Sequence, residues 1–126
     1  MSEEVQLYTR LQPILYIADL EAEIGFYTAL EFVIKDQAEG FAAVAYGDCI
    51  LFGLQRQKSP DPGVIQEFMV WQIGVMDVGL IQDLCQRQDL NTVRSPERQP
   101  WGEWIMKVES PNGWVVVFEG PINKSS

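Results

Sequence analysis

The chain has 126 residues, enough for one domain with its own core, and its 47% hydrophobic content is ordinary for a globular protein. Eighteen acidic against nine basic side chains give a net charge of −9, which repels phosphate backbones and anionic lipid, excludes nucleic acid as an expected partner, and favours cationic ligands. No apolar run approaches the roughly 20 residues of a membrane span, and Met1 to Arg10 lacks the basic start and apolar centre of a secretory signal, so the expectation is a cytoplasmic protein with no membrane partner.

In chain order, Gln12 to Ile17 reads as a strand in which Pro13 removes a ladder donor and so suits an edge or a hinge. Asp19 caps a helix that runs to Leu30 with Leu20, Ile24, Tyr27 and Leu30 on one face. Three short strands follow near Glu31 to Asp36, Gly40 to Ala45 and Cys49 to Gln55, separated by Glu39-Gly40 and Gly47-Asp48. Residues 57–66 contain Lys58-Ser59-Pro60-Asp61-Pro62-Gly63 and form the clearest linker. The order then repeats, with a strand at Phe68 to Met76, a helix at Asp77 to Gln88, and strands up to Glu119.

The last two strands are the most legible. Trp104, Met106 and Val108 alternate with Ile105, Lys107 and Glu109, and Trp114, Val116 and Phe118 alternate with Val115, Val117 and Glu119, as half-buried strands do. Ser110-Pro111-Asn112-Gly113 supplies the turn, proline by presetting a dihedral and Asn-Gly by tolerating a positive one. Overlaying Gly47 on Gly113, an offset of 66 residues, matches Cys49 to Gly53 with Val115 to Glu119 in phase. Ile17-Ala18-Asp19-Leu20 overlays Val75-Met76-Asp77-Val78 at an offset of 58, so each half has an Asp where strand gives way to helix. The 8 extra residues of the second half are expected as a longer loop, Asn91 to Gln99, over the site.

Two βαβββ units in one small acidic chain resemble the vicinal oxygen chelate superfamily of glyoxalases, ring-cleaving dioxygenases and bleomycin resistance proteins. The match is best to the bleomycin resistance branch. It rests on Pro13-Ile14-Leu15, Asp19, Phe26-Tyr27, Asp48-Cys49-Ile50-Leu51-Phe52, and Gln99-Pro100-Trp101-Gly102 followed by Pro111-Asn112-Gly113 and Phe118. The resemblance implies a single α+β domain over 1–126, with module one at about 12–56, the linker at 57–66 and module two at about 67–120. The modules form a curved mixed sheet with helices on its outer face. It also implies a homodimer whose clefts are built by both subunits, an arrangement in which the arm Val5 to Gln12 crosses to the partner.

Enzymes of this superfamily hold a divalent metal on the concave face. The corresponding positions here are Gln12, Leu51, Val70 and Val117, and the chain has no histidine, so neither a 2-His-1-carboxylate nor a His2Glu2 cluster can be built. No metal or other cofactor is expected. Cys49 and Cys85 are too few for a disulfide scaffold or zinc site and are expected reduced and partly buried.

Strand phase places Gln12, Ile14 and Tyr16, then Cys49, Leu51, Gly53 and Gln55, then Val70, Gln72 and Gly74 on the concave face. Such a wall, apolar with polar points, suits an organic ligand held by shape and a few hydrogen bonds. Bleomycin resistance proteins, the resemblance implies, sequester a cationic and partly aromatic drug without chemistry. Trp101, Trp104, Phe41, Tyr46 and Tyr16 are the candidate aromatic contacts, Gln12 a polar point, and Glu39, Glu103 and Glu119 candidate counter-charges. Trp71, Trp114 and Phe118 are assigned to the core. Leu30-Glu31-Phe32 in place of a Leu-Gly-Phe turn, and Ala42-Ala43 where bulk would grip a large glycopeptide, point to a smaller ligand. The expected function is metal-independent binding of a cationic or aromatic small molecule in a dimer-interface cleft. The alternative is a glyoxalase- or dioxygenase-like enzyme with a degenerate or recruited metal site that uses Glu119 or Tyr16.

Overall fold

A computed structural model describes residues 7, 11–57, 66 and 69–123. The predicted linker is therefore described only at Gln57 and Gln66, and the predicted arm only at Leu7, Leu11 and Gln12; the rest of both lies outside the described residues.

Module one runs β1 (Ile14–Ile17), α1 (Leu20–Ala29), β2 (Val33–Ala38), β3 (Phe41–Tyr46) and β4 (Cys49–Arg56). Module two repeats it with β5 (Trp71–Gly74), α2 (Val78–Arg87), β6 (Asn91–Arg98), β7 (Trp104–Glu109) and β8 (Val115–Gly120). Each module is a mixed four-stranded sheet, ordered β1-β4-β3-β2 and β5-β8-β7-β6. The first strand of each lies parallel to the last, as a helical crossover requires, and the other pairs are antiparallel.

Both helices begin as the caps predict. The Asp19 carboxylate accepts from Ala22 N–H and the Asp77 carboxylate from Gly79 N–H, each satisfying a donor that the first helical turn leaves open. Both end on a residue with positive φ that is not glycine, Glu31 at 71° and Asp89 at 54°, again 58 positions apart. The missing glycine of the Leu-Gly-Phe turn is thus replaced by a carboxylate residue held in a left-handed conformation, at a cost of about 1 kcal/mol. Gly113, with φ 87°, closes the β7–β8 turn through its N–H to Ser110 C=O at 2.9 Å.

The inner faces of the two sheets and both helices share one core. Leu15, Ile17, Val44, Phe52 and Leu54 of module one pack with Met106, Val108, Val116 and Phe118 of module two. An aromatic chain crosses the module boundary, from Phe26 to Tyr27 to Phe52, which stacks on Trp71 with ring centroids 5.5 Å apart. Trp114 and Phe118 are core, as strand phase predicts, and Trp71 is partly buried against it.

The expected loop at Asn91 to Gln99 is instead strand β6, which starts 58 residues after β2 and pairs with the edge of β7. Its sequence, with Arg94, Pro96, Glu97 and Arg98, is that of an edge strand, and two register shifts accommodate it. The extra length of module two is spread over β6, the Gln99 to Glu103 connection and the five-residue turn from Ser110 to Trp114. Cys49 is exposed, against expectation, because it sits where β4 leaves the turn; Cys85 is buried.

Candidate functional site: two open sheet faces and a cavity between the modules

Because the modules share their inner faces, each sheet leaves the other face open. On sheet one the register sets Ile14 opposite Gly53, Tyr16 opposite Gln55, and Phe41 and Ala43 opposite Gln55 and Gly53, so these residues lie on one side. Gly53 is its floor. A Cβ there would stand 2.7 Å from Ile14 Cδ1, 2.9 Å from Phe41 Cε2 and 3.0 Å from Gln12 Nε2, so these three side chains converge over the glycine. Ile14 and Tyr16 remain 40% and 48% exposed, which is costly for an apolar wall unless something covers it. Three predicted site residues, Gln12, Tyr16 and Phe41, are thus brought together.

On sheet two, Gln72, Gly74, Val117 and Glu119 share the open face, with Ile105 opposite Glu119 and Lys107 opposite Val117. Glu119 is half-buried there. Trp104 pairs with Gly120 and turns, with Met106 and Val108, to the side that packs on the core, which removes it from the face carrying Glu119. Trp101, 62% exposed, stands on the Gln99 to Glu103 connection. Glu103 closes that connection through its C=O, which accepts from Gln99 N–H at 2.7 Å, and one oxygen of its carboxylate is buried without a partner among the described residues.

Tyr46 is elsewhere. With a register shift between Val44 and Ala45, it sits at the end of β3 and lines a cavity of about 860 Å3 between the modules, together with Leu51, Ile73 and Phe118. Leu51, one of the four metal positions, is therefore turned toward an apolar wall. The donor set Gln12, Leu51, Val70 and Val117 does not fit a divalent ion, and no group of three or more metal-binding side chains occurs among the described residues.

Sequence reasoning missed one cluster. Glu23 is fully buried on α1 against the β7–β8 turn, where its carboxylate accepts from Asn112 N–H at 3.3 Å and Asn112 Nδ2 at 2.9 Å. Burial pushes this carboxyl above the usual range, opposed by the hydrogen bonds from Asn112 and Ser110. The neighbouring Tyr27 hydroxyl is pushed well up by burial and by the Glu23 charge. Among the described residues, Glu23 Oε2 and the Tyr27 hydroxyl are buried without a hydrogen-bond partner, and a proton on Glu23 would let it donate to the phenol. Its helical position was the available signal: Glu23 lies three residues after Leu20, four before Tyr27 and seven before Leu30, so it shares the apolar face of α1 and is buried with it. Cys85 is no candidate nucleophile, since burial pushes its thiol up.

The chain matches the family model for the Glyoxalase/Bleomycin resistance protein/Dioxygenase superfamily over residues 9–118. Among solved structures it resembles a bleomycin resistance determinant encoded on the transposon Tn5, at 19% identity and a TM-score of 0.68, with 90% of this chain and 98% of that one aligned. It resembles the bleomycin-binding protein of Streptomyces verticillus, solved with copper(II)-bleomycin, at 20% identity and a TM-score of 0.66, over 95% and 100% of the two chains. A glyoxalase/bleomycin resistance protein/dioxygenase from Alicyclobacillus acidocaldarius aligns with a TM-score of 0.73 at 13% identity, over 90% and 91%. Among curated proteins there is no match. At these identities the structures establish the fold and leave the ligand open. The paired βαβββ modules, their shared core and the match across residues 9–118 together make this chain a member of the Glyoxalase/Bleomycin resistance protein/Dioxygenase superfamily.

Proposed function

We propose that the protein is a metal-independent small-molecule binding protein that sequesters a cationic or aromatic ligand on its open sheet faces, paired across a homodimer. The observation that carries this reading is the convergence of Phe41, Ile14 and Gln12 over Gly53 on a face where Ile14 and Tyr16 stay partly exposed. Such a face supplies apolar contact, two aromatic rings in Phe41 and Tyr16, and an amide, a set that suits an organic ligand better than a metal. Glu119 on sheet two offers a counter-charge, and pairing sheet one of one chain with sheet two of another would place it across a cleft from Phe41 and Tyr16. Bleomycin binding by the structural relatives supports the ligand class, and the bleomycin-free alternatives are smaller aromatic cations. Exchange of the arm Val5 to Gln12 between subunits, and a cytoplasmic location, belong to the same proposal. Trp101 at the edge of the second sheet is its remaining aromatic contact.

Calorimetric titration of metal-stripped protein with bleomycin and with smaller aromatic cations tests the reading, and light scattering gives the oligomeric state. Binding without added metal, weakened about tenfold by Phe41→Ala and severalfold by Glu119→Gln, is the expected result. A monomer in solution, or binding that appears only with a divalent metal, would overturn it.

A further inference from the structure

The duplication builds the same contact between modules twice, and the two copies end differently. On one side the five-residue turn from Ser110 to Trp114 reaches α1. There Asn112 accepts from Asp19 N–H and donates to Asp19 C=O, both at 2.8 Å, and donates to Glu23, filling the space. On the other side the β3–β4 turn is Gly47-Asp48 alone, three residues shorter. Asp77 and Ile81, which stand 58 residues after Asp19 and Glu23, therefore face a cavity of about 860 Å3 in place of a turn. That volume lies within the roughly 300–1,000 Å3 of small-molecule sites.

The cavity is deep as well as large. Phe118 and Leu84, both buried, form its floor, whereas Tyr46, Met76 and Leu80 stand around its mouth with 70%, 86% and 63% of their surface exposed. Three large apolar side chains held in water around one opening mark a surface that gains by being covered. The rim carries Glu31, Asp77 and Asp83 against Arg87 alone, an excess of two negative charges. A flat protein surface would cover the mouth and leave the space above Phe118 unfilled. An anion would meet three carboxylates. A small molecule with an apolar body and a cationic end answers both features.

We infer that this cavity between the modules is a second ligand site, taking a small organic cation with an aromatic or aliphatic body, and separate from the open sheet faces proposed above. Its walls come from one chain, so it needs no partner subunit. Of the side chains singled out from sequence, Tyr46 belongs to this site and not to the sheet faces.

Titration with protonated 1-naphthylmethylamine and with its anionic counterpart 1-naphthylacetate tests the inference. In the Phe41→Ala background, which disables the sheet-face site proposed above, one amine should bind per chain, about tenfold or more tighter than the carboxylate. Ile81→Trp adds bulk to the α2 wall of the cavity and should weaken binding severalfold. Leu80→Lys, at an exposed position that does not endanger the fold, should weaken it about fivefold or more, and Asp83→Asn about two- to fivefold. Retention of the cavity-bound amine in Phe41→Ala, with its weakening in Leu80→Lys, separates this site from the sheet-face site proposed above. No saturable binding in the millimolar range, equal affinity for the anion, or loss of binding in Phe41→Ala with retention in Leu80→Lys would overturn the inference. So would a change of oligomeric state in Leu80→Lys with amine affinity intact, which would make the mouth a contact between copies.

Discussion

Asn112→Ala would remove the three side-chain hydrogen bonds that fasten module two to α1: from Asp19 N–H at 2.8 Å, to Asp19 C=O at 2.8 Å and to the Glu23 carboxylate at 2.9 Å. The two Asp19 bonds are solvent-exposed, so water replaces much of each, and about 0.5 kcal/mol apiece is a fair value. The bond to part-buried Glu23 involves a charged acceptor and contributes about 1.5 kcal/mol, giving a total loss of about 2.5 kcal/mol. For a chain of this size that corresponds to a Tm lower by about 10 °C. Asn112→Asp removes the same donors and sets a second carboxylate against Glu23, so at neutral pH it should cost more than alanine, and the gap should close in acid as the carboxylates take up protons. Urea unfolding followed by tryptophan fluorescence at neutral and acid pH reads both variants. A loss below about 0.5 kcal/mol for Asn112→Ala, or an aspartate variant no less stable than alanine at neutral pH, would refute the view that this turn locks the modules together.

Glu23→Gln keeps the acceptor for Asn112 and removes the charge. Because burial raises the folded pKa of Glu23 above its unfolded 4.5, the stability it contributes is full below that value and is lost as pH rises through the folded pKa. The glutamine variant should therefore gain on the parent chain as pH rises above 4.5, which denaturation curves across that range will show. Glu31→Gly relieves the left-handed residue at the end of α1 and should stabilise by about 0.5 kcal/mol once the added freedom of the unfolded chain is counted, measured by thermal unfolding. Gly120→Ala drives a Cβ into the Val75 carbonyl oxygen, a backbone contact that cannot swing aside, and should cost about 3 kcal/mol or prevent folding, seen as loss of cooperative melting. Trp104→Ala should cost about 3 kcal/mol because the indole packs on the core, whereas Trp101→Ala, on an exposed loop, should stay within about 0.5 kcal/mol, both from urea midpoints.

What the sequence determined is what local rules encode. The period-2 alternation around Trp104 to Phe118, the aspartates before both helices, the turn at Ser110 to Gly113 and the duplication at offsets of 58 and 66 each depend on neighbours a few residues away, and together they specified two βαβββ modules. Alternation also divided the strands into two faces, so Gln12, Ile14 and Tyr16 could be grouped before any contact was known.

Tertiary structure decided the rest. Strand β6 carries no alternation and several charges; it is a strand because β7 offers a free edge for its backbone to pair with. Which face of β7 met the core could be settled only by pairing with β8, and that pairing turned Trp104 inward. Glu23 stands on the apolar face of α1 by its spacing from Leu20, Tyr27 and Leu30, but its partner, a turn 89 residues away, is supplied only by packing. The cavity beside α2 exists because the corresponding turn of module one is three residues shorter, a difference visible in the chain but without meaning until the two modules are packed together. Burial and pairing between distant segments are collective properties of the packed chain, and no local window of residues contains them.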